Sequence, residues 1–309
     1  NDTALNLVSG EDLSFSGSLT SSSKNVADNT YLNISSITLA DGSNGIATNY
    51  TKPANSYDAT KNNVTITAKA LQIKDSTLES TDKIYDGDAV AAIVGTATLE
   101  DSIAGSSSVD DDKKPITGDD ISLDLSSQSA SFNNANVVDI GGIAGNKIVT
   151  YNNIALDATD ADFSNYSLEN HSDDDFKINK RPLSLIGEKT YNGLTDLSHS
   201  LLTSGGLGAI SGNADSGLVG SQTLSFSATL ASKDVNGPDG NSGTVDNYVS
   251  SITLTNGTNG GIGTNYYLSS ENSHSSSENS ITVNKRGLSI SATKIYDGTN
   301  VIETSEVTL

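Results

Sequence analysis

Three copies of one phrase divide this chain: Lys83-Ile-Tyr-Asp-Gly87, Lys189-Thr-Tyr-Asn-Gly193 and Lys294-Ile-Tyr-Asp-Gly298. They recur about every 105 residues, the length of one small β-sandwich domain. Solenoid units of roughly 20–50 residues share one continuous core, so this period is too long for them. The period predicts a string of similar domains, and the question of function becomes what such a string is for.

Other segments keep the same frame. Leu13-Ser-Phe-Ser-Gly-Ser-Leu19 returns as Leu224-Ser-Phe-Ser-Ala-Thr-Leu230, and Ser35-Ser-Ile-Thr-Leu39 as Ser250-Ser-Ile-Thr-Leu254. An Asn-Tyr pair stands at Asn49-Tyr50, Asn165-Tyr166 and Asn265-Tyr266. Alternating segments close the units at Val64–Leu71, Phe176–Leu183 and Ile281–Leu288. Only a few residues separate Leu183 from Lys189 and Leu288 from Lys294, which leaves no flexible tether and predicts a semi-rigid rod. The frame yields four segments. Residues 1–75 are the C-terminal part of a truncated repeat, 76–187 and 188–293 are complete β-sandwich repeats, and 294–309 open a further one. By the same frame, residue 1 is not expected to be a natural start.

Alternation sets the fold class. Leu13, Phe15 and Leu19 share a face, as do Ile121, Leu123 and Leu125; Leu224, Phe226, Ala228 and Leu230 repeat the pattern. Asp41-Gly42, Asn44-Gly45, Asn256-Gly257 and Asn259-Gly260 are hairpin-turn dipeptides. Sustained helical periodicity is missing. The expectation is all-β: tandem immunoglobulin-like β-sandwich domains in an elongated rod. With 34% hydrophobic residues, each repeat can bury a core only if its strands alternate strictly. No cysteine is present, so neither disulfides nor thiol chemistry is available.

The 38 acidic residues outnumber the 17 basic ones, giving a net charge of −21. That balance argues against nucleic acid and anionic lipid, whose binding needs Lys and Arg. No apolar run is long enough to insert directly into a membrane. Acidic loops raise the question of Ca²⁺, which takes six to eight oxygen ligands. The calcium candidates are Asp157, Asp160 and Asp162, and Asp234, Asn236 and Asp239; none has EF-hand spacing. Asp110 to Asp112 with Asp119 and Asp120, and Asp173 to Asp175, are further candidate clusters, although a run of three adjacent Asp is usually a solvated loop. His171, His199 and His274 fall at non-corresponding positions, tryptophan platforms for sugar are absent, and no enzyme is expected.

The recurrent residues have structural readings. Gly87, Gly193 and Gly298 supply positive φ. The rings of Tyr85, Tyr191 and Tyr296 pack at a domain end, with the hydroxyl on a backbone group. Lys83, Lys189 and Lys294 lie along an edge or reach a carboxylate, and a bolder reading makes such a Lys an isopeptide partner of Asn.

The Lys-x-Tyr-Asp-Gly opening, the Asn-Tyr pair and the closing Lys-Arg-x-Leu resemble the YDG/MBG-type repeats of large bacterial exoproteins similar to filamentous haemagglutinins. Departures are the acidic insertion at Val109–Lys114 and Asn192 in the second phrase. The resemblance implies immunoglobulin-like modules in a secreted adhesin at the bacterial cell surface, with no catalytic residues to carry over. Two functional classes stay open. One is a non-enzymatic stalk whose partners are neighbouring repeats and identical chains in a fibre or matrix. The other is a module that grips a host or surface glycan or protein, with calcium.

Overall fold

The computed structural model describes residues 7–26, 28–102, 113–235, 237–238 and 247–308. The chain is all-β there, with strands joined by turns and three-residue 3-10 segments. Among the described residues, no helix is long and apolar enough to cross a membrane. Two compact units form. The first comprises Asn1–Glu79, Ile93–Ser129 and Thr150–Ser172; the second comprises Ser80–Ala92, Ala130–Val149 and Asp173–Leu309. Residues 76–187 contribute to both, and the intervals Leu183–Lys189 and Leu288–Lys294 lie in the second unit.

Strict alternation builds the second unit. Leu224–Leu230 buries Phe226, Ala228 and Leu230 and exposes the residues between them. It pairs antiparallel with Asp196–Ser198 on one side and Val249–Asn256 on the other. A second sheet centres on Arg181–Thr190, which runs antiparallel to Leu202–Gly208 and parallel to both Tyr266–Leu268 and Asn279–Asn284. Leu185, Ile281 and Val283 from this sheet share a core with Leu197, Phe226, Leu230 and Val249 from the other. Each such side chain contributes about 1.5–3 kcal/mol by leaving water.

Arg181–Thr190 spans the interval from Leu183 to Lys189 as one uninterrupted strand. Its opening residues pair with Tyr266–Leu268 and its remainder with Asn279–Asn284. Backbone hydrogen bonds are made all along it, so no slack linker exists at this joint. The corresponding elements recur. Lys69–Leu71 pairs parallel with Tyr166–Leu168 in the first unit, as Arg181–Leu183 does with Tyr266–Leu268. Lys83–Ile84 pairs parallel with Ile178–Asn179 in the second unit, as Lys189–Thr190 does with Val283–Asn284.

In the first unit Leu71, Ile73 and Leu78 are fully buried. The alternation of Leu13, Phe15 and Leu19 does not make a core there: Phe15 is 62% exposed and Leu19 43%. Leu13–Ser16 pairs only with Thr38–Asp41 among the described residues. Phe226, its counterpart, is 6% exposed because it packs in one cluster with Leu185 and Ile281. An apolar face needs a second layer, and alternation alone does not provide one.

Candidate interaction site: the joint between repeats

The recurrent phrase is a self-contained loop clamp. In each copy the lysine ammonium donates to the backbone carbonyls five and seven residues ahead. Lys83 reaches Asp88 and Val90, Lys189 reaches Leu194 and Asp196, and Lys294 reaches Thr299 and Val301. The Asp or Asn three residues on turns its Oδ1 to accept the N–H two residues further, at Asp88, Leu194 and Thr299. The glycine after it has φ of +90°, +83° and +79° in the three copies, a region only glycine adopts without strain. Lysine is required because a flexible stem must carry three donors into the mouth of a loop.

The second phrase differs electrically. Asp86 and Asp297 lie 2.7 and 2.9 Å from the Lys83 and Lys294 ammoniums. Asn192 stands at that position beside Lys189. Burial works against the charge on Lys83, but hydrogen bonds to Asp86 and Asp88 hold its pKa above the ordinary value. Lys189 is 1% exposed, and burial pushes its ammonium down, only partly opposed by the Asp196 charge. Among the described residues, no asparagine side chain accepts from these three ammoniums, whereas the buried Lys147 donates to Asn134 Oδ1 at 3.0 Å.

The joint in the second unit is built on the Asn-Tyr pair. Tyr266 Oη accepts the Val219 N–H at 3.2 Å and donates to Gln222 Oε1 at 2.5 Å. Asn265 is fully buried; its Oδ1 accepts the Val137 N–H at 2.9 Å, and its Nδ2 donates to Asn136 Oδ1 at 3.0 Å. Tyr85 of the phrase stands edge-on to Tyr266, with ring centroids 5.3 Å apart and an interplanar angle of 79°. The Tyr85 N–H donates to Asn179 O, its hydroxyl accepts from Gln222 Nε2, and its carbonyl accepts from Arg181. The Arg181 guanidinium also donates to the carbonyls of Ala214, Ser216 and Gly217, fixing one loop against the strand.

The same construction stands in the first unit. Tyr166 Oη accepts the Ile116 N–H at 3.1 Å and donates to Asp119 Oδ2 at 2.7 Å. Asn165 accepts the Val26 N–H at 2.9 Å and donates to Asn25 Oδ1. Tyr50 likewise accepts from Val8 N–H and donates to Glu11. The expected backbone bond therefore belongs to Tyr50, Tyr166 and Tyr266, whereas Tyr85 meets a side chain and Tyr296 is 93% exposed. The hydroxyl's acceptor is Glu11, Asp119 or Gln222 in turn. Only a side-chain oxygen is common to the three, so this acceptor, unlike the Asn-Tyr pair itself, is not marked by a repeated residue type.

Burial, reinforced by the hydrogen bond to Asp119, pushes the Tyr166 phenol up to about 12. A raised phenol pKa means that the folded state keeps a proton the unfolded chain loses above 10.0. The stability this supplies is present below that pH and disappears as pH climbs through the folded value. In an ultraviolet difference titration, one phenol should ionise near about 12, and Tyr166→Phe should remove that step. Titration of every phenol near the ordinary value would contradict it.

The calcium candidates fall in different settings. Asp157 Oδ1 accepts from Thr159, Asp160 Oδ2 from Ser122 and Asp162 Oδ2 from the Asp120 N–H. These carboxylates serve separate turns and do not converge on one point. Asp234 is exposed, its N–H held by Ser232, while Asn236 and Asp239 lie outside the described residues, as do Asp110 to Asp112. Asp173, Asp174 and Asp175 do bring three carboxylates within 4.8 Å of one another. They lie on the strand His171–Asn179, not in a loop. His171 is stacked on Tyr151, 5.1 Å between centroids, with Nδ1 3.7 Å from Asp75. No family model, curated protein or solved structure matches this chain.

Proposed function

We propose that this chain is a stretch of a non-enzymatic extracellular stalk. Tandem immunoglobulin-like sandwiches would extend a secreted bacterial surface adhesin and hold its distal part away from the cell. The observation that carries this reading is the joint. The same Asn-Tyr construction, with its two side-chain clamps, occurs once in each unit, at Asn165-Tyr166 and at Asn265-Tyr266, bridging consecutive repeats. Repeating a rigid connection serves reach, whereas an active site gains nothing from being copied at a connection. The acidic balance of −21 fits the same role, because like-charged neighbours repel and stay hydrated.

Small-angle scattering of the full chain tests the reading. An elongated particle is expected, and a compact globule would refute it. A glycan array with and without chelator tests the other class of function. Specific binding that the chelator abolishes would replace the stalk with a calcium-dependent ligand-binding module.

A further inference from the structure

The central phrase departs from its sisters at one side chain. Asp86 Oδ1 accepts the Asp88 N–H at 3.2 Å, Asp297 Oδ1 that of Thr299 at 2.9 Å, and Asn192 Oδ1 that of Leu194 at 3.1 Å. All three serve the same turn, so the exchange of acid for amide alters only the charge. The first and third lysines gain an ion pair from the acid. Lys189 is more deeply buried than either, yet among the described residues it pairs with no carboxylate and meets only the Leu194 and Asp196 carbonyls. An ammonium buried without a counter-charge is costly.

The same asparagine is set up to react. It is exposed and is followed by Gly193. Among the described residues, neither the Gly193 N–H nor the Asn192 amide nitrogen makes a hydrogen bond. Beyond its chain neighbours, no atom lies within 4 Å of where a Cβ on Gly193 would stand, so nothing crowds the main-chain nitrogen. The Leu194 N–H already polarises the Asn192 side-chain carbonyl, as an oxyanion donor would. Two further Asn-Gly pairs of this unit are tied down. Gly257 gives its N–H to Gly261 O at 3.0 Å, and a Cβ on it would stand 2.1 Å from Thr223 O. Asn259 commits its amide nitrogen to Ser221 O at 2.9 Å.

We propose that Asn192-Gly193 is a self-modification site, at which Asn192 turns into aspartate without an enzyme and completes the Lys–Asp pair that the two sister phrases are made with. The Gly193 nitrogen gives up its proton to water and attacks Asn192 Cγ. A carbon–nitrogen bond forms, the Cγ–Nδ2 bond breaks, and Nδ2 leaves as ammonia, closing a five-membered succinimide. One water then opens that ring. Cleavage of the new Cγ–N bond restores the original peptide link and leaves aspartate. Cleavage at the main-chain carbonyl gives isoaspartate, with the chain running through Cγ. The balance is one water consumed and one ammonia released, with nothing oxidised or reduced. Attack needs the nitrogen within about 3–3.5 Å of the carbon, which the exposed residue reaches by rotation about its own bonds. Folding selects between the products. Only aspartate preserves the backbone path on which Gly193 takes its φ of +83° and the lysine reaches both carbonyls. Isoaspartate lengthens the main chain, opens the clamp and can close again to the imide, so successive cycles drain into aspartate. The new carboxylate then faces a buried ammonium and favours its charged form. Nothing in this chemistry depends on an extracellular role.

The test follows the freshly purified full chain over days in neutral and mildly alkaline buffer, by peptide mapping and mass spectrometry. Asn192 is expected to gain the mass of an amide turned acid at least about tenfold faster than Asn256 or Asn259. The rate should rise with pH, because the deprotonated nitrogen is the nucleophile. In heavy-oxygen water the product carboxyl should carry a single label. Asn192→Gln, whose ring would be larger and slower to close, should stay unmodified. If that variant misfolds, the label on the parent chain alone decides. Isoaspartyl methyltransferase should find little isoaspartate in the aged protein, and its Lys189 titration by NMR should match that of Asn192→Asp. An amide that persists at Asn192, or conversion of Asn256 and Asn259 at the same rate, would overturn the site. Isoaspartate as the accumulating product, or a Lys189 titration unmoved by conversion, would overturn the completed pair.

Discussion

Replacing Leu185 by alanine is expected to lower the stability of the second unit by about 2–5 kcal/mol. Leu185 is completely buried, and its neighbours come from both sheets: Leu197, Phe226, Leu230 and Val249 on one side, Ile281 and Val283 on the other. Both flanking strands are held in register by hydrogen bonds, so the surroundings cannot collapse to fill the space, and the cost sits toward the upper end of the range. Native-state hydrogen exchange reads the effect directly. Amides of Leu224–Leu230 and Val249–Asn256 should exchange about thirtyfold faster or more. Unchanged protection would mean that the two sheets do not share a core.

Lys189→Met should cost about 1.5–3 kcal/mol, the worth of hydrogen bonds to a charged group. Methionine preserves the apolar stem but leaves the carbonyls of Leu194 and Asp196 without the donor that closes the loop. Urea denaturation checks it, and a midpoint equal to the parent's would remove the clamp from the account. The charge itself is disfavoured by burial, which gives a pH signature. The folded state releases this proton at lower pH than the unfolded chain does. Between the lowered value and the ordinary 10.5 the unfolded chain binds more protons, so this lysine's contribution to stability rises with pH. Asn192→Asp would place a carboxylate where Asp86 and Asp297 stand, and the ammonium should then titrate higher than in the parent. Titration of the lysine by NMR in the two proteins separates the cases.

Much of this was readable in advance. Phe226, Ala228 and Leu230 alternate in sequence and are buried in the fold, and Gly193 precedes a turn whose φ only glycine supports. Lys189 was harder. From the phrase alone it is a residue on an edge or beside a carboxylate, whereas it is a buried donor to two carbonyls. Carbonyls belong to every residue, so no side-chain identity marks where such a donor points. Phe15 shows the converse: its local pattern matches that of Phe226, yet it lies in water, because a pattern names a face and not what covers it.

Period, alternation and turn residues by themselves determined that the chain is all-β, that its phrase recurs about every 105 residues and that few residues part Leu183 from Lys189. These are properties of the chain at short range, where steric preference and the two-residue pleat act. Only the tertiary structure decided that the Asn-Tyr pair is the keystone of the joint, with Asn265 gripping Val137 and Tyr266 gripping Val219. Those partners lie more than forty residues away in sequence and are met through backbone groups. The physical reason is that a hydrogen bond to a peptide N–H depends on position alone, and position is settled only when the sheets have packed.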